Sequence, residues 1–372
     1  MSRIPAHRFT PLRLNADARG GSGRTFAPGA AMQVAQATKT AFLYGVGNFG
    51  FALLKHLGEQ LPSDAWRIRA FDRNAEVRAG LNADRHHPWH HSGTCISHEI
   101  AVEPNIDAIR DADLLILAVE SNATREVLAS IAPRLARPIA VLNTAKALDH
   151  ETGQPLSSVV QETLGSKLAS YALLAGGTIA SDLIGAEPLG ASLACANAEM
   201  RSELQQLLQS PRLFIYPTDD LVGVECASAF KSVVAIGAGI ASGAGLSHGA
   251  QTYTISRLAA EVEELAVSRL GAQPATFTIG SQAWGNDMWL SCTGNTRNRE
   301  FGILLGRGLT LAKAIEVMTE GRKTVEGVNT IKALGRVGDL DQYPRLSALF
   351  DFVAGCTDLP TFNSQLLVNQ TR

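Results

Sequence analysis

The chain has 372 residues, enough for more than one domain and for sizeable cores. Its 33 basic and 35 acidic side chains leave a net charge of −2, so no basic field marks it for nucleic acid. Five scattered cysteines (Cys95, Cys195, Cys226, Cys292, Cys356) show no metal-binding spacing, which suits free thiols in a reducing, cytoplasmic setting.

Residues 1–39 read as a basic extension. Arg3, Arg8, Arg13, Arg19 and Arg24 face only Asp17, among many Gly, Ala and Pro. Three readings stand: a disordered extension, an upstream start with Met32 as the true first residue, and an organelle transit segment. Pro5, Pro11 and Pro28 suit a transit helix poorly, which favours the first two.

The next segment carries the strongest signal. Ala41 to Tyr44 predicts a strand, which runs into Gly45-x-Gly47-x-x-Gly50 and then into FALLKHLGEQL, with helical spacing. A second strand over Trp66 to Phe71 delivers Asp72 about twenty residues on. This is the dinucleotide fingerprint: Gly45 for the turn, Gly47 for close approach of the pyrophosphate, Gly50 for helix–strand packing. The pyrophosphate would sit at the helix N-terminus. A carboxylate at Asp72 suits the adenosine ribose of NAD, whereas Arg73 leaves NADP open; the plainer alternative is that Asp72 caps a turn.

Four histidines follow, His86, His87, His90 and His91. Pro88 interrupts any helix that would align them, so a surface loop is expected rather than a metal site. Strands are predicted over 113–120, 139–148 and 171–182, with paired strands over 191–197 and 213–220. Ligands of open α/β sheets bind beyond the carboxyl ends of the strands, so Glu120, Lys146 and Gly176 to Ser181 should line one crevice with the glycine turn.

From Leu221 the pattern turns helical. Residues 226–256 read as a buried helix whose one certain charge is Lys231. The uncharged run from Ser232 to His248 approaches a membrane span in length, but it is Gly-, Ala- and Ser-rich rather than Leu-rich, which argues for a core helix. A lone buried lysine must be paired or useful, and burial would lower its pKa toward proton transfer; the alternative is a lysine whose head reaches solvent. Further on, Asp287 lies between Trp284 and Trp289, and Arg297-Asn298-Arg299 sits in a polar loop suited to a phosphate.

With these residues in place, the chain from about Thr40 to Leu367 resembles the bacterial type of NAD(P)-dependent glycerol-3-phosphate dehydrogenases. The matching segments are GxGxxGxA from Gly45 to Ala52, TAKAL with Lys146, GGTIASD, YPTDDLVGVE, AFKS with Lys231, NDMWLSC with Asp287, RNREFG and EGVNT. The resemblance implies an N-terminal Rossmann-like α/β domain (residues 40–220) and an all-α domain (221–372), with the active site between them. It implies Lys231 as the general acid/base, Lys146 as its support and Asp287 as its orienting partner. It places Ser232, Ser291, Arg297 and Asn298 at the substrate. It assigns Gly45, Gly47, Asn48, Phe49, Gly50, Asp72, Ala180, Arg297 and Glu326 to the cofactor, NAD or with less preference NADP. No metal is implied, the expected partner is a small phosphorylated ketone, first of all dihydroxyacetone phosphate, and self-association into a homodimer stays open.

The departures gather at the substrate end. Ser232 stands where the family has Asn, Ser291 where it has Thr, Gly177 where it has Pro, Ala147 where it has Gly, and Glu120 where it has Pro. A reductase for another anionic ketone is therefore the second reading, and a non-catalytic NAD sensor the third. The ketopantoate reductases share the two-domain plan but not RNREFG.

Overall fold

The computed structural model describes residues 38–367, apart from 62, 186, 322, 324, 338 and 339. The basic extension up to residue 37, with Met32, lies outside the described residues.

Among the described residues the strands form one eight-stranded sheet: β1 (Lys39–Tyr44), β2 (Trp66–Phe71), β3 (Ala101–Val102), β4 (Leu114–Leu117), β5 (Ile139–Asn143), β6 (Leu168–Ala175), β7 (Leu189–Cys195) and β8 (Leu213–Thr218). Their spatial order is β3-β2-β1-β4-β5-β6-β7-β8. Every pairing is parallel except β6 with β7. All seven expected strands are present. Chain order reverses between β1 and β4, and that switch point opens a crevice at the carboxyl ends.

Strand side chains alternate, so each strand feeds two cores. Ala41 and Leu43 join the core beneath α1 (Asn48–Gly58), α2 (Ala75–Ala83), α5 (Ala180–Ile184) and α6 (Ala198–Leu208). Phe42 and Tyr44 join the opposite core, with α3 (Thr124–Ile131), α4 (Leu156–Leu164) and the C-terminal helices. Those helices are α7 (Leu221–Gly243), α8 (His248–Leu270), α9 (Asp287–Thr293), α10 (Arg297–Gly306), α11 (Leu311–Glu320), α12 (Glu326–Val337), α13 (Pro344–Val353) and α14 (Leu359–Leu367). One continuous core thus joins the sheet to the all-helical half.

The expected single helix over 226–256 is two. α7 ends at Gly243, Gly245 turns the chain at φ +76°, and Ser247 caps α8 by accepting from Ala250 N–H. Asp220 starts α7: its Oδ1 accepts from Gly223 N–H, and its Oδ2 from Gln273 N–H (3.0 Å) and Thr276 Oγ1 (2.5 Å). α7 is long and apolar enough to cross a membrane, but 83% of its apolar window is buried in protein.

Glycines explain how α7 is buried on so many sides. A Cβ on Gly239 would lie 2.2 Å from Arg299 O, and one on Gly243 would lie 2.3 Å from Ile303 O. On the facing helix α10, Gly302 and Gly306 stand equally close to Ile236 O and Ile240 O. Two glycines four residues apart on each helix therefore bring the backbones together. This contact fixes the start of α10, with Arg297 and Asn298, against the α7 turn that holds Lys231 and Ser232.

Candidate active site

The glycine turn occupies the switch point. Gly45 has φ +95°, and a Cβ there would sit 2.6 Å from Ala118 O at the end of β4. A Cβ on Gly50 would lie 2.0 Å from Gly45 O, so only glycine lets α1 pack on β1. Gly47 is different: nothing lies within 4 Å of its Cβ position, which leaves open space in front of the helix. The first intrahelical bond runs from Phe51 N–H to Gly47 O (2.9 Å), so the N–H groups of Asn48, Phe49 and Gly50 have no helical partner. No acidic side chain occupies the first turn of α1. Three N–H groups at a positive helix end, facing open space, fit a pyrophosphate.

Beside the turn lies a cavity of about 530 Å³, lined by Gly45, Gly47, Asp72, Arg73, Glu120 and His150 among others. Asp72 serves two purposes here. Its Oδ2 accepts from Val46 N–H (2.7 Å) and its Oδ1 from Asn74 N–H (2.8 Å), so it does cap a turn. Each oxygen keeps a second lone pair, and the carboxylate still lines the cavity, where a ribose could donate to it. Ala180 opens α5 but is 5% exposed and packed in the core, so its methyl group offers little to a ligand.

The second group of residues surrounds Asp287. A π-helical turn, Gln282–Asn286, precedes α9 and sets Asp287 at the helix start, 2% exposed. Asp287 Oδ2 lies 2.5 Å from Lys231 Nζ and 3.6 Å from Lys146 Nζ. Lys231 comes from the middle of α7 and Lys146 from the loop after β5, so three elements converge on one carboxylate. Lys146 also donates to Gly176 O (2.5 Å) and Thr178 Oγ1 (3.3 Å). The Lys146 pKa is pushed down to about 8. Burial is the main cause, Lys231 adds to it, and Asp287 opposes it.

A buried chain of polar groups holds the Lys146 loop. Asn143, at the end of β5, accepts from Ala145 N–H (3.1 Å) and donates to Tyr171 Oη (3.0 Å). Tyr171 in turn interacts with Glu225 of α7, which accepts from Ser157 N–H and Oγ at 2.8 and 2.6 Å. Both lysine-bearing elements are tied together away from the lysines themselves.

Ser291 lies one turn beyond Asp287 on α9, 7% exposed. Ser232 and Asn298 meet at Gly327: a Cβ there would come within 2.8 Å of Asn298 Oδ1 and 3.2 Å of Ser232 Cβ. Gly327 N–H donates to Asn298 Oδ1 (3.1 Å), which orients the Asn298 amide donors for an anion. Arg297 is exposed at the start of α10, close enough to lower the pKa of Glu326; burial outweighs that and raises it. The two arginines of the RNR motif do not form one fork. Two residues along a helix turn the side chain by about 200°, and Arg299 directs a buried Nε, without a hydrogen-bond partner, elsewhere.

Sequence reasoning missed three participants. Thr178 reads from the sequence only as crevice lining. Asn143 is a buried amide ending an apolar strand, a signal that was readable. His87 was assigned to a surface loop, yet it is 5% exposed and bonded to the glycine turn.

The fold and these groups define a dinucleotide-dependent oxidoreductase built from a Rossmann sheet and an all-helical half. The chain belongs to the NAD-dependent glycerol-3-phosphate dehydrogenase family: the model of that family's N-terminus matches residues 40–201, and that of its C-terminus residues 220–353. It is 34% identical over 295 residues to the glycerol-3-phosphate dehydrogenase [NAD(P)+] of Bartonella tribocorum, covering 78% of this chain and 86% of that one. Among solved structures, glycerol-3-phosphate dehydrogenase from Coxiella burnetii aligns over 90% of this chain and 100% of its own, with TM-score 0.77 at 22% identity. That from Plasmodium falciparum aligns over 90% and 96%, with TM-score 0.82 at 18% identity. These two likenesses bear on the fold.

Proposed function

We propose that the protein reduces dihydroxyacetone phosphate to sn-glycerol 3-phosphate, reversibly, with residues 40–220 holding the dinucleotide and 221–372 supplying the substrate side. The observation that carries this reading is one buried carboxylate, Asp287, flanked by Lys146 and Lys231, with Ser232, the residue after Lys231, meeting Asn298 at Gly327. The nicotinamide supplies the hydride. The N–H groups of Asn48, Phe49 and Gly50 hold the pyrophosphate, Asp72 holds the adenosine ribose, and Glu326 with Arg297 serves the far end.

The lysines handle charge that appears at the carbonyl oxygen. Two ammonium groups against one carboxylate leave an excess of positive charge in a pocket largely closed to water, where it stabilises a developing alkoxide strongly. Lys231 donates the proton to that oxygen and recovers one from solvent, which reaches 12% of its side chain. Lys146 stays charged and shares the oxygen. Asp287 keeps both ammonium heads on one side. Arg297 and the Asn298 amide hold the remote phosphate, whose binding energy helps to align the carbonyl. The direct test is NADH oxidation with dihydroxyacetone phosphate, run against a panel of other phosphorylated and carboxylated ketones. No oxidation with any of them would revive the sensor reading, against which the retained lysines and Asp287 stand. The free cysteines and the buried α7 support a cytoplasmic enzyme.

Asp72 supports a preference for NADH over NADPH, because its carboxylate repels a 2′-phosphate. Asp72→Ala should weaken NADH use and narrow the gap between the cofactors in steady-state kinetics. A wild type that prefers NADPH would refute this assignment and point to Arg73.

One observation favours a different ketone. Ser232 is shorter than the family's Asn, so an amide reaching the substrate is replaced by a hydroxyl. A lost hydrogen bond to a charged group is worth roughly 1.5–3 kcal/mol. Ser232→Asn should therefore raise kcat/KM for dihydroxyacetone phosphate by about tenfold or more. An efficient wild type that Asn does not improve would remove this reason for seeking another substrate.

A further inference from the structure

Among the described residues no group of three metal-ligating side chains is present. The histidine loop between α2 and β3 docks on the glycine turn. His91 stacks on Phe51 of α1 (6.0 Å between rings, 10° between planes), and His87 meets the edge of the same ring at 5.6 Å. His87 Nδ1 lies 3.1 Å from both the Trp89 and His90 backbone nitrogens, and its Nε2 lies 2.9 Å from Val46 O. Backbone N–H groups can only donate, so Nδ1 is the acceptor and Nε2 carries the proton. The backbone thus fixes a neutral imidazole that donates to Val46 O.

Val46 is the middle residue of Gly45-Val46-Gly47. Its N–H is held by Asp72 (2.7 Å) and its carbonyl by His87. The Val46–Gly47 peptide is planar and trans, so directing the carbonyl toward His87 directs the Gly47 N–H the opposite way. Gly47 is the N-cap of α1 and borders the open space where the pyrophosphate fits.

We infer that His87 is a positioning residue for the dinucleotide: its neutral ring sets the Val46–Gly47 peptide, and protonation of that ring weakens cofactor binding. The inference rests on reading the glycine turn as the cofactor site. A proton on Nδ1 would face two N–H donors, so the 87–90 turn and the Val46 contact cannot survive it unchanged. The ionisable groups that face His87 are His90 (4.6 Å between rings) and His91 from its own loop and Asp72 from the end of β2; Phe51 of α1 is uncharged. Burial, with His90 next, lowers the His87 pKa from its ordinary 6.5, whereas the Val46 bond and Asp72 oppose this. A depressed pKa in the folded protein means the neutral contact is complete above about 6.5 and is lost as pH falls through the folded value.

The test is the NADH dissociation constant of full-length protein by fluorescence between pH 8 and 5.5, for wild type, His87→Gln and His87→Leu, with near-UV circular dichroism as the check on folding. Gln can donate to Val46 O but does not titrate. One hydrogen bond corresponds to about three- to tenfold in affinity. Wild type should weaken toward that factor on acidification, beyond any change in His87→Gln. His87→Leu should be weaker by a similar factor already at pH 8. Folded variants with the affinity and pH profile of wild type would overturn the inference and leave the cofactor site standing. Should His87→Leu fail to fold, the pH profile of His87→Gln decides alone. A wild type that binds no NADH would overturn the cofactor reading and this inference together.

Discussion

Lys231→Met is expected to lose about 10²–10⁴ in kcat while binding NADH normally. The ammonium acts on charge that forms only in the transition state, so its loss should lower kcat and kcat/KM together rather than raise KM. Methionine keeps most of the volume and flexibility of the lysine stem, so the α7 packing should survive. The variant still holds Asp287 against Lys146 at 3.6 Å, and the buried carboxylate is not abandoned. The double variant with Lys146→Met should be little worse than the slower single variant, because both lysines would serve one oxygen. The measurement is steady-state ketone reduction alongside NADH titration of each variant. A folded Lys231→Met with near-normal kcat would reject the proposed role and restore the sensor reading.

What the sequence revealed depended on whether a residue's surroundings are local. Gly45, Gly47 and Gly50 were legible because each answers a backbone demand within a few residues: a positive φ, an open helix end, a close helix–strand contact. Lys231 stood out because a charge in an apolar, small-residue run must be paired, useful or carried out to solvent. The small residues of that run pointed to a core helix, though not to α10 supplying the opposing Gly302 and Gly306. The break between α7 and α8 was missed because Gly245 lies among other glycines and small residues, and only the fold selects which one turns the chain.

Groups brought together from distant segments were not legible. The desolvation of Lys146 depends on how its loop folds against Gly176 and Thr178, and no local pattern records that. β3, two residues long, has no periodicity to read. The antiparallel turn of β7 against β6 follows from the short α5 connection rather than from strand composition. His87 looked like a surface residue because four histidines around a proline suggest solvent. Its burial comes from Phe51 and Val46, some forty residues earlier in the chain.

Lys146→Met should be slow and yet more stable. The lowered pKa of Lys146 has burial as its largest cause, and desolvation of the ammonium destabilises the folded state at neutral pH. Its folded value of about 8 lies below the ordinary 10.5, so between those limits the unfolded chain binds more protons and wild-type stability rises with pH. The penalty is therefore complete below about pH 8 and gone above about 10.5. Methionine removes it, so urea midpoints of the variant should exceed wild type most clearly at pH 7 and converge as pH rises. Activity runs the other way. Ketone reduction by wild type should decline above about pH 8 as the ammonium deprotonates, whereas Lys146→Met, already slowed by about 10²–10⁴, should lack that limb. A gain in stability paired with lost turnover would mark Lys146 as a charge held in place for the reaction at the expense of the fold. A variant that loses stability at pH 7 and keeps the wild-type pH profile would instead make Lys146 a structural partner of Asp287, with Lys231 left to act alone.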